Sequence, residues 1–248
     1  MGKPDIIYED NDIIVCYKPA GIATQTRRIG QQDMESFIRN YRAAKNEPPY
    51  VGIVHRLDQP VEGVMVFAKN QKAAASLSRQ IKEHTTEKYY RAASRGQGVS
   101  GADKKEANKE DNHDLAWHTL TDYISFDKLT NTSKITSEKD RLAKKAVLQY
   151  RVISVTPDRD GSQNECIRTE FDIKLLTGRH HQIRLQLAHI GYPLIGDTKY
   201  RKPASNNSGM GSKSGRTGGG VREQLALCSY KLVFDHPATG ERMTFELP

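Results

Sequence analysis

The stretch VHRLDQPVEGVMVFAKN, residues 54–70, decides the fold because it joins a charged turn to a buried strand. Residues 64–68 form a continuous apolar run, which indicates a buried strand. His55, Arg56 and Asp58 come directly before this run, and a glycine stands at the join. The sequence therefore places a cation and an anion just before the N-terminal end of a buried strand. They form either an ion pair that holds a loop or part of an active site.

The segments on either side of this stretch predict an α+β fold around a largely antiparallel mixed sheet. Two β-branched runs, DIIY and DIIVCYK, flank a polar turn near the N-terminus and predict a hairpin. A short helical pattern surrounds Met34, Asn70 is expected to cap a second helix, and EKYYRAAS at 87–94 predicts a further strand. Many strands joined by hairpins, with few helices between them, are typical of this fold class.

The second half of the chain continues the same pattern. Two long strands are expected around 146–156 and 166–176, joined by a turn at 157–161. A helix from about 180 to 190 follows, and Gly191 is its predicted C-terminal stop. LALCSYKLVF and ERMTFELP, around DHPATG, predict a closing hairpin.

Two polar segments interrupt these elements, at about 95–143 and 201–222. The first predicts a surface excursion that is part hairpin and part mobile loop. The second is rich in Gly and Ser, contains several basic residues and no acidic one, and cannot bury a core. We expect both to be insertions in a single domain that spans residues 1–248.

Charge and composition narrow the class of partner. The chain has 248 residues, 38 Lys and Arg against 30 Asp and Glu, and a formal net charge of +8. This balance favours a polyanionic partner, with nucleic acid ahead of an anionic membrane. The sequence contains no apolar run of the ~20 residues that a membrane span needs, and its N-terminus does not have the pattern of a signal peptide. Cys16, Cys166 and Cys228 are scattered, which favours a reducing compartment and argues against zinc, so we expect a cytoplasmic protein.

Asp58 is the carboxylate that the pattern singles out. Its charge must be offset by a nearby cation, because burial alone would protonate it. A desolvated but ionised carboxylate is a nucleophile toward an electron-poor carbon. The residues alone leave open whether Asp58 is such a nucleophile or one half of a structural pair with Arg56.

A second polar cluster lies in TGRHHQIRLQLAHIGYPLIGD, residues 177–197. On a regular helix His180 and Arg184 share a face and His181 projects elsewhere. His180, Gln182 and Arg184 then form either a polar tip above the apolar face or a solvated surface. Adjacent histidines on a helix cannot easily bind one metal ion, so we expect no metal site.

Adjacent tyrosines form the third cluster, Lys88-Tyr89-Tyr90-Arg91. On a strand one tyrosine points inward and the other outward. A tyrosine with basic neighbours suits the stacking of a nucleobase, but a core aromatic explains the pattern equally well.

Taken together, these motifs resemble the RluA family of RNA pseudouridine synthases over nearly the whole chain. IIYEDNDIIVCYKPAGI resembles the first segment of the family, and HRLD-xxxx-G-xxxxAK resembles its catalytic segment. EKYYRA follows the pattern K-x-Y-x-A, which selects Tyr90 rather than Tyr89. GRHHQIRLQLAHIGYPLIGD and the C-terminal block follow in the family's order. The chain departs from the pattern at Gln59-Pro60-Val61-Glu62, where Thr-Ser often precedes the glycine, and at Gln186, where His is common.

The resemblance implies an α+β pseudouridine synthase fold with an active-site cleft across the sheet, and a role for each of the singled-out residues. It implies that Asp58 is the nucleophile, that Tyr90 stacks on the base, and that Arg184 pairs with Asp58. Arg56 would fill the place of the flipped uridine, and the resemblance further assigns substrate binding to His55, His180 and Gln182. The implied partner is structured ribosomal or transfer RNA, with no cofactor and no metal ion. An S4-like module is expected to be absent, and we expect a monomer.

Two other functions remain open at this point. One is an RNA-binding or ribosome-assembly protein on the same scaffold, whose catalysis is dispensable. The other is a hydrolase of a different glycosidic bond, which requires a second acid as proton donor. Asp197 is the nearby candidate for that acid, although it fits better as a turn residue after Gly196.

Overall fold

The computed structural model describes residues 4–26, 28, 30–96, 116–159, 165–201 and 223–248. Within these ranges, eleven strands form one sheet, accompanied by three helices. The strands are β1 (Asp5–Glu9), β2 (Ile13–Lys18), β3 (Gly52–Ile53), β4 (Glu62–Ala68), β5 (Glu87–Gly96), β6 (His118–Asp127), β7 (Thr132–Thr136), β8 (Lys144–Arg159), β9 (Glu165–Leu175), β10 (Leu227–Asp235) and β11 (Arg242–Glu246). The helices are α1 (Met34–Ala44), α2 (Gln71–Lys82) and α3 (Gln182–His189).

The sheet runs in the order β1-β2-β4-β10-β5-β9-β8-β6-β7, with β3 paired to β4 and β11 paired to β10. β4 and β10 are parallel, and every other strand pair in the described ranges is antiparallel. The predicted α+β class with a largely antiparallel mixed sheet is therefore confirmed. The parallel pair brings the C-terminal hairpin to the centre of the sheet, next to the charged turn before β4.

Both faces of the sheet carry an apolar core. The larger core packs α1 and α3 against β2, β4, β5, β8 and β9. The smaller core packs α2 and β11 against the opposite face of β2, β4 and β10. β4 contributes Met65 and Phe67 to the first core and Val64 and Val66 to the second. Burial on both faces explains why the sequence of β4 is continuously apolar rather than alternating.

The predicted helix signals are confirmed where they are local. The side chain of Asn70 accepts a hydrogen bond from Ala73 N at 2.9 Å and caps α2. α1 begins with a capping box in which Asp33 and Ser36 bond each other's backbone N–H groups. Gly191 follows α3 with a φ of +94°, a conformation that favours glycine.

The turn predicted at 157–161 is partly wrong. β8 continues to Arg159, and Pro157 pairs with Ile167 within the β8–β9 ladder. Pro157 is tolerated because β8 pairs with β6 only up to Tyr150, so its last residues have a single strand partner. Residues 160–164 lie outside the described residues.

The hairpin predicted within 95–143 is confirmed, but it lies in the main sheet rather than over the surface. β6 pairs with β8 from His118 to Ile124, and β7 pairs with β6. Residues 97–115, and nearly all of the second polar segment at 201–222, lie outside the described residues. Among the helices that the structure describes, none is long and apolar enough to cross a membrane.

Candidate active site

The loop that carries Asp58 lies between β3 and β4. Leu57 anchors it in the larger core and is 6% exposed. Val61 N donates a hydrogen bond to the carbonyl oxygen of Asp58 at 3.0 Å and closes a tight turn. The side chain of Asp58 is 32% exposed to solvent. The carboxylate is therefore positioned by the loop but remains open to a ligand.

Gly63 joins the charged turn to β4 at a position where the backbone leaves no room for a side chain. Its φ is +135°, and a Cβ there would lie 2.2 Å from the carbonyl oxygen of Ser229 in β10. A larger residue would force β4 and β10 apart, because these strands pair at this point. The glycine thus brings the Asp58 loop close to β10, and β10 lies next to the strand of Tyr90.

Lys18 holds the Asp58 loop in place through hydrogen bonds, and the sequence patterns did not single out this residue. Its side chain is fully buried, and Nζ donates to the carbonyl oxygens of Pro19, Ile22 and Gln59 at 3.1, 2.6 and 3.2 Å. Burial lowers the pKa of Lys18 to about 8, although the negative charges of Asp58 and Glu62 oppose this shift. The ammonium group ties the end of β2 to the residue that follows Asp58.

Arg184 lies beside Asp58, as predicted, but its main partner is Asp197. Arg184 Nε and Nη2 donate to the two carboxylate oxygens of Asp197 at 2.7 and 2.8 Å. Arg184 Nη1 lies 3.8 Å from Asp58 Oδ2, which is an ion-pair distance but not a hydrogen bond. The predicted pairing of Arg184 with Asp58 is therefore secondary, because the bidentate contact goes elsewhere.

Asp197 has two roles: it stabilises a turn, and it pairs with Arg184. It accepts the N–H groups of Lys199 and Tyr200, as a turn residue does, and its side chain is completely buried against Arg184. Burial alone would raise the pKa of Asp197, but the hydrogen bonds and charge of Arg184 hold it below its ordinary value. A buried, ionised carboxylate cannot serve as the proton donor of a glycoside hydrolase, so that alternative loses its second acid.

Opposing effects set the protonation of Asp58. Burial raises the pKa of its carboxyl group above the ordinary value, while the positive charges of Arg184, His180, Lys18 and Lys199 act in the other direction. These groups come from three segments of the chain: the end of β2, residues 180–184 and the turn that follows Asp197. The site is therefore built to hold one carboxylate in a cationic and partly desolvated setting.

The histidine pair lies differently from the prediction. α3 begins at Gln182, and His181 precedes it in the left-handed region with a φ of +54°. This conformation turns His181 toward the site, so that its Nε2 lies 3.5 Å from Asp58 Oδ2. The ring of His180 contacts that of His181, with the ring centroids 3.7 Å apart and the ring planes tilted by 31°. The expectation that His181 projects elsewhere is wrong, because it assumed a regular helix through both residues.

Strand alternation separates the two tyrosines as predicted. Tyr90 is 6% exposed and belongs to the larger core with Leu57. Tyr89 lies on the opposite face, where its ring contacts Tyr230. Burial raises the pKa of Tyr90, the negative charge of Asp58 adds to this effect, and a hydrogen bond with Ser229 opposes it. Tyr90 is therefore a protonated phenol on the same face of the sheet as Asp58.

The four predicted substrate-binding residues divide into two groups. Arg56 is exposed and His180 is partly buried, so both are accessible beside Asp58. His55 instead uses Nε2 to accept the N–H of Val66 at 3.1 Å, and burial together with the charge of Lys88 lowers its pKa to about 3. His55 is thus a neutral group that holds the loop to β4, and its substrate-binding role stays a prediction.

Gln182 is buried at the start of α3, and its substrate-binding role likewise stays a prediction. It is 3% exposed, and its side-chain oxygen accepts hydrogen bonds from Thr177 Oγ1 and Arg179 N. Its amide nitrogen donates to Gln186, which in turn donates to Asp122 on β6. Both hydrogen-bonding ends of Gln182 are therefore used within the fold, where they connect the start of α3 to the sheet.

A possible metal-binding group in the described ranges lies apart from these residues. Asp10 and Asp12, in the turn between β1 and β2, and His236, directly after β10, bring ligand atoms within 4.8 Å of one another. His236 Nε2 bonds Asp10 Oδ2 at 2.8 Å, and Asp12 Oδ1 accepts from Asn70. These hydrogen bonds explain the arrangement without a metal ion.

Comparison with known proteins places this geometry in a family. The family model described as RNA pseudouridylate synthase matches residues 12–189. An uncharacterized RNA pseudouridine synthase from Bacillus subtilis is 30% identical over an alignment that covers 100% of this chain and 69% of that protein. Ribosomal large subunit pseudouridine synthase D from Neisseria meningitidis is 30% identical, over 98% of this chain and 58% of that protein.

A solved structure supports the fold. The human protein named RNA Pseudouridylate Synthase Domain Containing 1 superposes with a TM-score of 0.67 at 21% identity, covering 99% of this chain and 83% of that one. The match at residues 12–189 contains Asp58, Tyr90 and Arg184, which the fold brings to one side of the sheet. The chain belongs to the RNA pseudouridylate synthase family.

Proposed function

We propose that the chain is an RNA pseudouridine synthase in which Asp58 is the nucleophile. The observation that carries this proposal is the setting of the Asp58 carboxylate. It is 32% exposed, lies 3.8 Å from the Arg184 guanidinium, and shares one side of the sheet with Tyr90. A carboxylate among cations is ionised and available, as nucleophilic attack requires.

The reaction is an isomerisation in two displacements. Asp58 forms a bond to C1′ of the target uridine while the C1′–N1 bond breaks and its electron pair stays on N1 of uracil. Uracil remains bound and rotates, and its C5 then bonds to C1′ while the ester to Asp58 breaks and restores the carboxylate. Loss of the C5 proton and protonation of N1 complete the product. Atoms and electrons balance without an oxidant or reductant.

Neighbouring residues supply orientation and charge. Arg184 is held rigidly by Asp197, so it presents a fixed positive charge to Asp58. The base stacks on the buried ring of Tyr90, and the protonated hydroxyl of Tyr90 can donate a hydrogen bond to the rotating base. Arg56 is exposed two residues before Asp58 and replaces the flipped uridine in the stack.

RNA is the substrate, and the finer identity we propose is structured ribosomal or transfer RNA. Chemistry at C1′ and C5 requires that the nucleotide leave its stack, which costs a few kcal/mol. The formal net charge of +8 supplies affinity for phosphate groups that helps to offset this cost. The name of the Neisseria relative, a ribosomal large subunit enzyme, supports ribosomal RNA.

The remaining properties of the enzyme are part of the same proposal. One catalytic domain carries the reaction, acts as a monomer in the cytoplasm and uses no metal ion or cofactor. Size-exclusion chromatography with light scattering tests the monomer. Activity that survives prolonged dialysis against a chelator tests the independence from metal.

Mapping pseudouridines in a strain that lacks the gene tests the function. We expect a discrete set of uridines to lose the modification, to regain it with the wild-type gene and to remain unmodified with Asp58→Ala. Asp5→Ala, at an exposed strand residue, is the matched control and restores modification. If Asp58→Ala fully rescues growth and ribosome assembly, the RNA-binding alternative is favoured instead. Pseudouridine made by Asp58→Ala would remove the nucleophile assignment.

A further inference from the structure

His181 connects Asp58 to a tyrosine that the proposed mechanism does not use. His181 Nδ1 lies 2.8 Å from the hydroxyl oxygen of Tyr200, and Nε2 lies 3.5 Å from Asp58 Oδ2. The Tyr200 oxygen also accepts the backbone N–H of Ser133 in β7 at 2.9 Å. A continuous path of polar contacts thus runs from the β6–β7 hairpin to the candidate nucleophile.

The two partners of His181 determine which of its nitrogens carries the proton. An ionised carboxylate can only accept a hydrogen bond, whereas a tyrosine hydroxyl can donate one. A neutral imidazole has one N–H group, so both contacts are favourable only when that proton is on Nε2. Tyr200 O–H then donates to Nδ1 of His181, and the Ser133 N–H fills the acceptor position on the Tyr200 oxygen.

The surroundings of His181 keep it neutral. Its side chain is 6% exposed. Burial lowers its pKa to about 3, the charges of Arg184, His180 and Lys199 act in the same direction, and Asp197 opposes them. A second cation beside Arg184 is therefore disfavoured at any pH near neutrality.

We infer that Tyr200 and His181 position Asp58: Tyr200 fixes the tautomer of His181, and the Nε2–H of His181 orients the carboxylate for attack. This inference rests on the proposed function, since it concerns the same nucleophile. The 3.5 Å separation is an ion-pair distance, and we expect it to shorten to a hydrogen bond when RNA binds. His181 stabilises the ionised carboxylate without adding a charge that would compete with Arg184.

The β6–β7 hairpin is part of this positioning system. Ser133 Oγ donates to the carbonyl oxygen of His180 at 2.8 Å and lies 3.0 Å from its Nδ1. Lys199 Nζ donates to the carbonyl oxygen of Asn131 at 2.6 Å. These contacts hold the hairpin, the histidine pair and the Tyr200 segment as one unit.

Nitrogen-15 NMR of histidine-labelled protein tests the tautomer independently of activity. In the free wild-type protein we expect His181 to be the neutral Nε2–H tautomer at pH 7. In Tyr200→Phe we expect a measurable population of the Nδ1–H form, because the hydroxyl that fixed the tautomer is gone. A wild-type His181 that is an imidazolium or the Nδ1–H tautomer at pH 7 would overturn the inference, even if the enzyme proves active.

Steady-state kinetics test the consequence for Asp58. Tyr200→Phe is expected to lower kcat in proportion to the fraction of His181 that leaves the Nε2–H form, up to the about ten- to hundredfold that one hydrogen bond to the charged Asp58 carboxylate is worth, with KM for RNA unchanged within about twofold. The acid limb of its pH profile should move to higher pH, because the ionised form of Asp58 loses a donor. The titratable and charged groups that face Asp58 and bear on this profile are Arg184, His180, Lys18, Lys199 and Tyr90.

Conservative variants separate positioning from folding. His181→Gln retains an N–H donor and should keep more activity than His181→Phe, which retains the ring but no donor. Tyr8→Phe, which removes a tyrosine hydroxyl from the edge strand β1 outside the site, is the control and should match wild type. Wild-type kcat and pH profile in Tyr200→Phe, or equal losses in the two His181 variants, would refute the positioning role. An inactive wild type would instead refute the proposed function, while the NMR result would still stand.

Discussion

Replacing Arg184 with methionine should destabilise the protein and inactivate it for two separable reasons. The Arg184 and Asp197 side chains are 5% and 0% exposed and make two hydrogen bonds, at 2.7 and 2.8 Å. Removing one partner of a buried pair costs ~3–5 kcal/mol because it leaves an uncompensated charge. Asp197 keeps two backbone donors, so we expect the lower end of that range, about 3 kcal/mol, or roughly a hundredfold in the folded-to-unfolded ratio.

Asp197→Asn supplies the matched second variant. Both backbone N–H groups bond Oδ1 of Asp197, an acceptor that asparagine retains, so the turn survives. In the double variant Arg184→Met/Asp197→Asn, neither a buried cation nor a buried anion is left without a partner. We therefore expect the double variant to recover about 2 kcal/mol relative to Arg184→Met, measured by urea unfolding of all four proteins as a double-mutant cycle.

Activity should not recover with stability. Asp58 lacks its guanidinium neighbour in both proteins that carry Arg184→Met, so kcat should remain low in the double variant. The account of the ion pair would be contradicted if the stability losses of the two single variants simply add in the double variant. It would also be contradicted if Arg184→Met is as stable as wild type. Recovery of kcat together with stability would show that Arg184 acts only through folding.

Three further predictions concern other parts of the site. Burial raises the pKa of Asp58, and attack requires its ionised form. The acid limb of the pH profile of kcat/KM should therefore have an apparent pKa above the ordinary Asp value of about 3.9. An apparent pKa at or below that value would contradict the effect of burial. Lys18 has a folded-state pKa of about 8, below its ordinary value of 10.5, so the unfolded state binds more protons between these values. The stability difference between wild type and Lys18→Met should therefore grow by on the order of 1 kcal/mol from pH 7 to pH 9, and a constant difference would refute it. Phe126 is 40% exposed, and its ring centroid lies 4.3 Å from that of His180 with the ring planes tilted by 50°. If a base stacks on Phe126, Phe126→Leu should raise KM for RNA by about tenfold and Phe126→Tyr should not, whereas equal KM values would exclude base stacking there.

Local sequence signals predicted the parts of the fold that depend on neighbouring residues. The apolar run of β4, the Asn70 cap and the strand alternation that separates Tyr89 from Tyr90 each depend on a few consecutive positions. The side of the sheet that carries Tyr90 and Asp58 then follows from the pairing of β4, β10 and β5.

The contacts that organise Asp58 could not be obtained in the same way. A helical period that starts at 180 places His181 away from the site, and only its left-handed backbone reverses that direction. The bond of Lys18 to Gln59 spans 41 residues, and Ser133 meets Tyr200 across 67. Such contacts depend on the order of strands in the sheet, which hydrophobic periodicity does not encode. The sequence of 95–143 predicted a hairpin, but the place of that hairpin in the main sheet and its contacts with the histidine pair depend on the same strand order.

Tritium release from RNA labelled at C5 of uridine tests the central claim most directly. Joining C5 to C1′ expels the C5 hydrogen, so each turnover by the wild-type protein should release one tritium into water. Asp58→Asn keeps the size and hydrogen-bonding shape of the side chain but not its charge or nucleophilicity, and it should bind the same RNA with similar affinity while releasing none. Release by Asp58→Asn at a rate near that of wild type would show that the carboxylate of Asp58 does not carry the reaction.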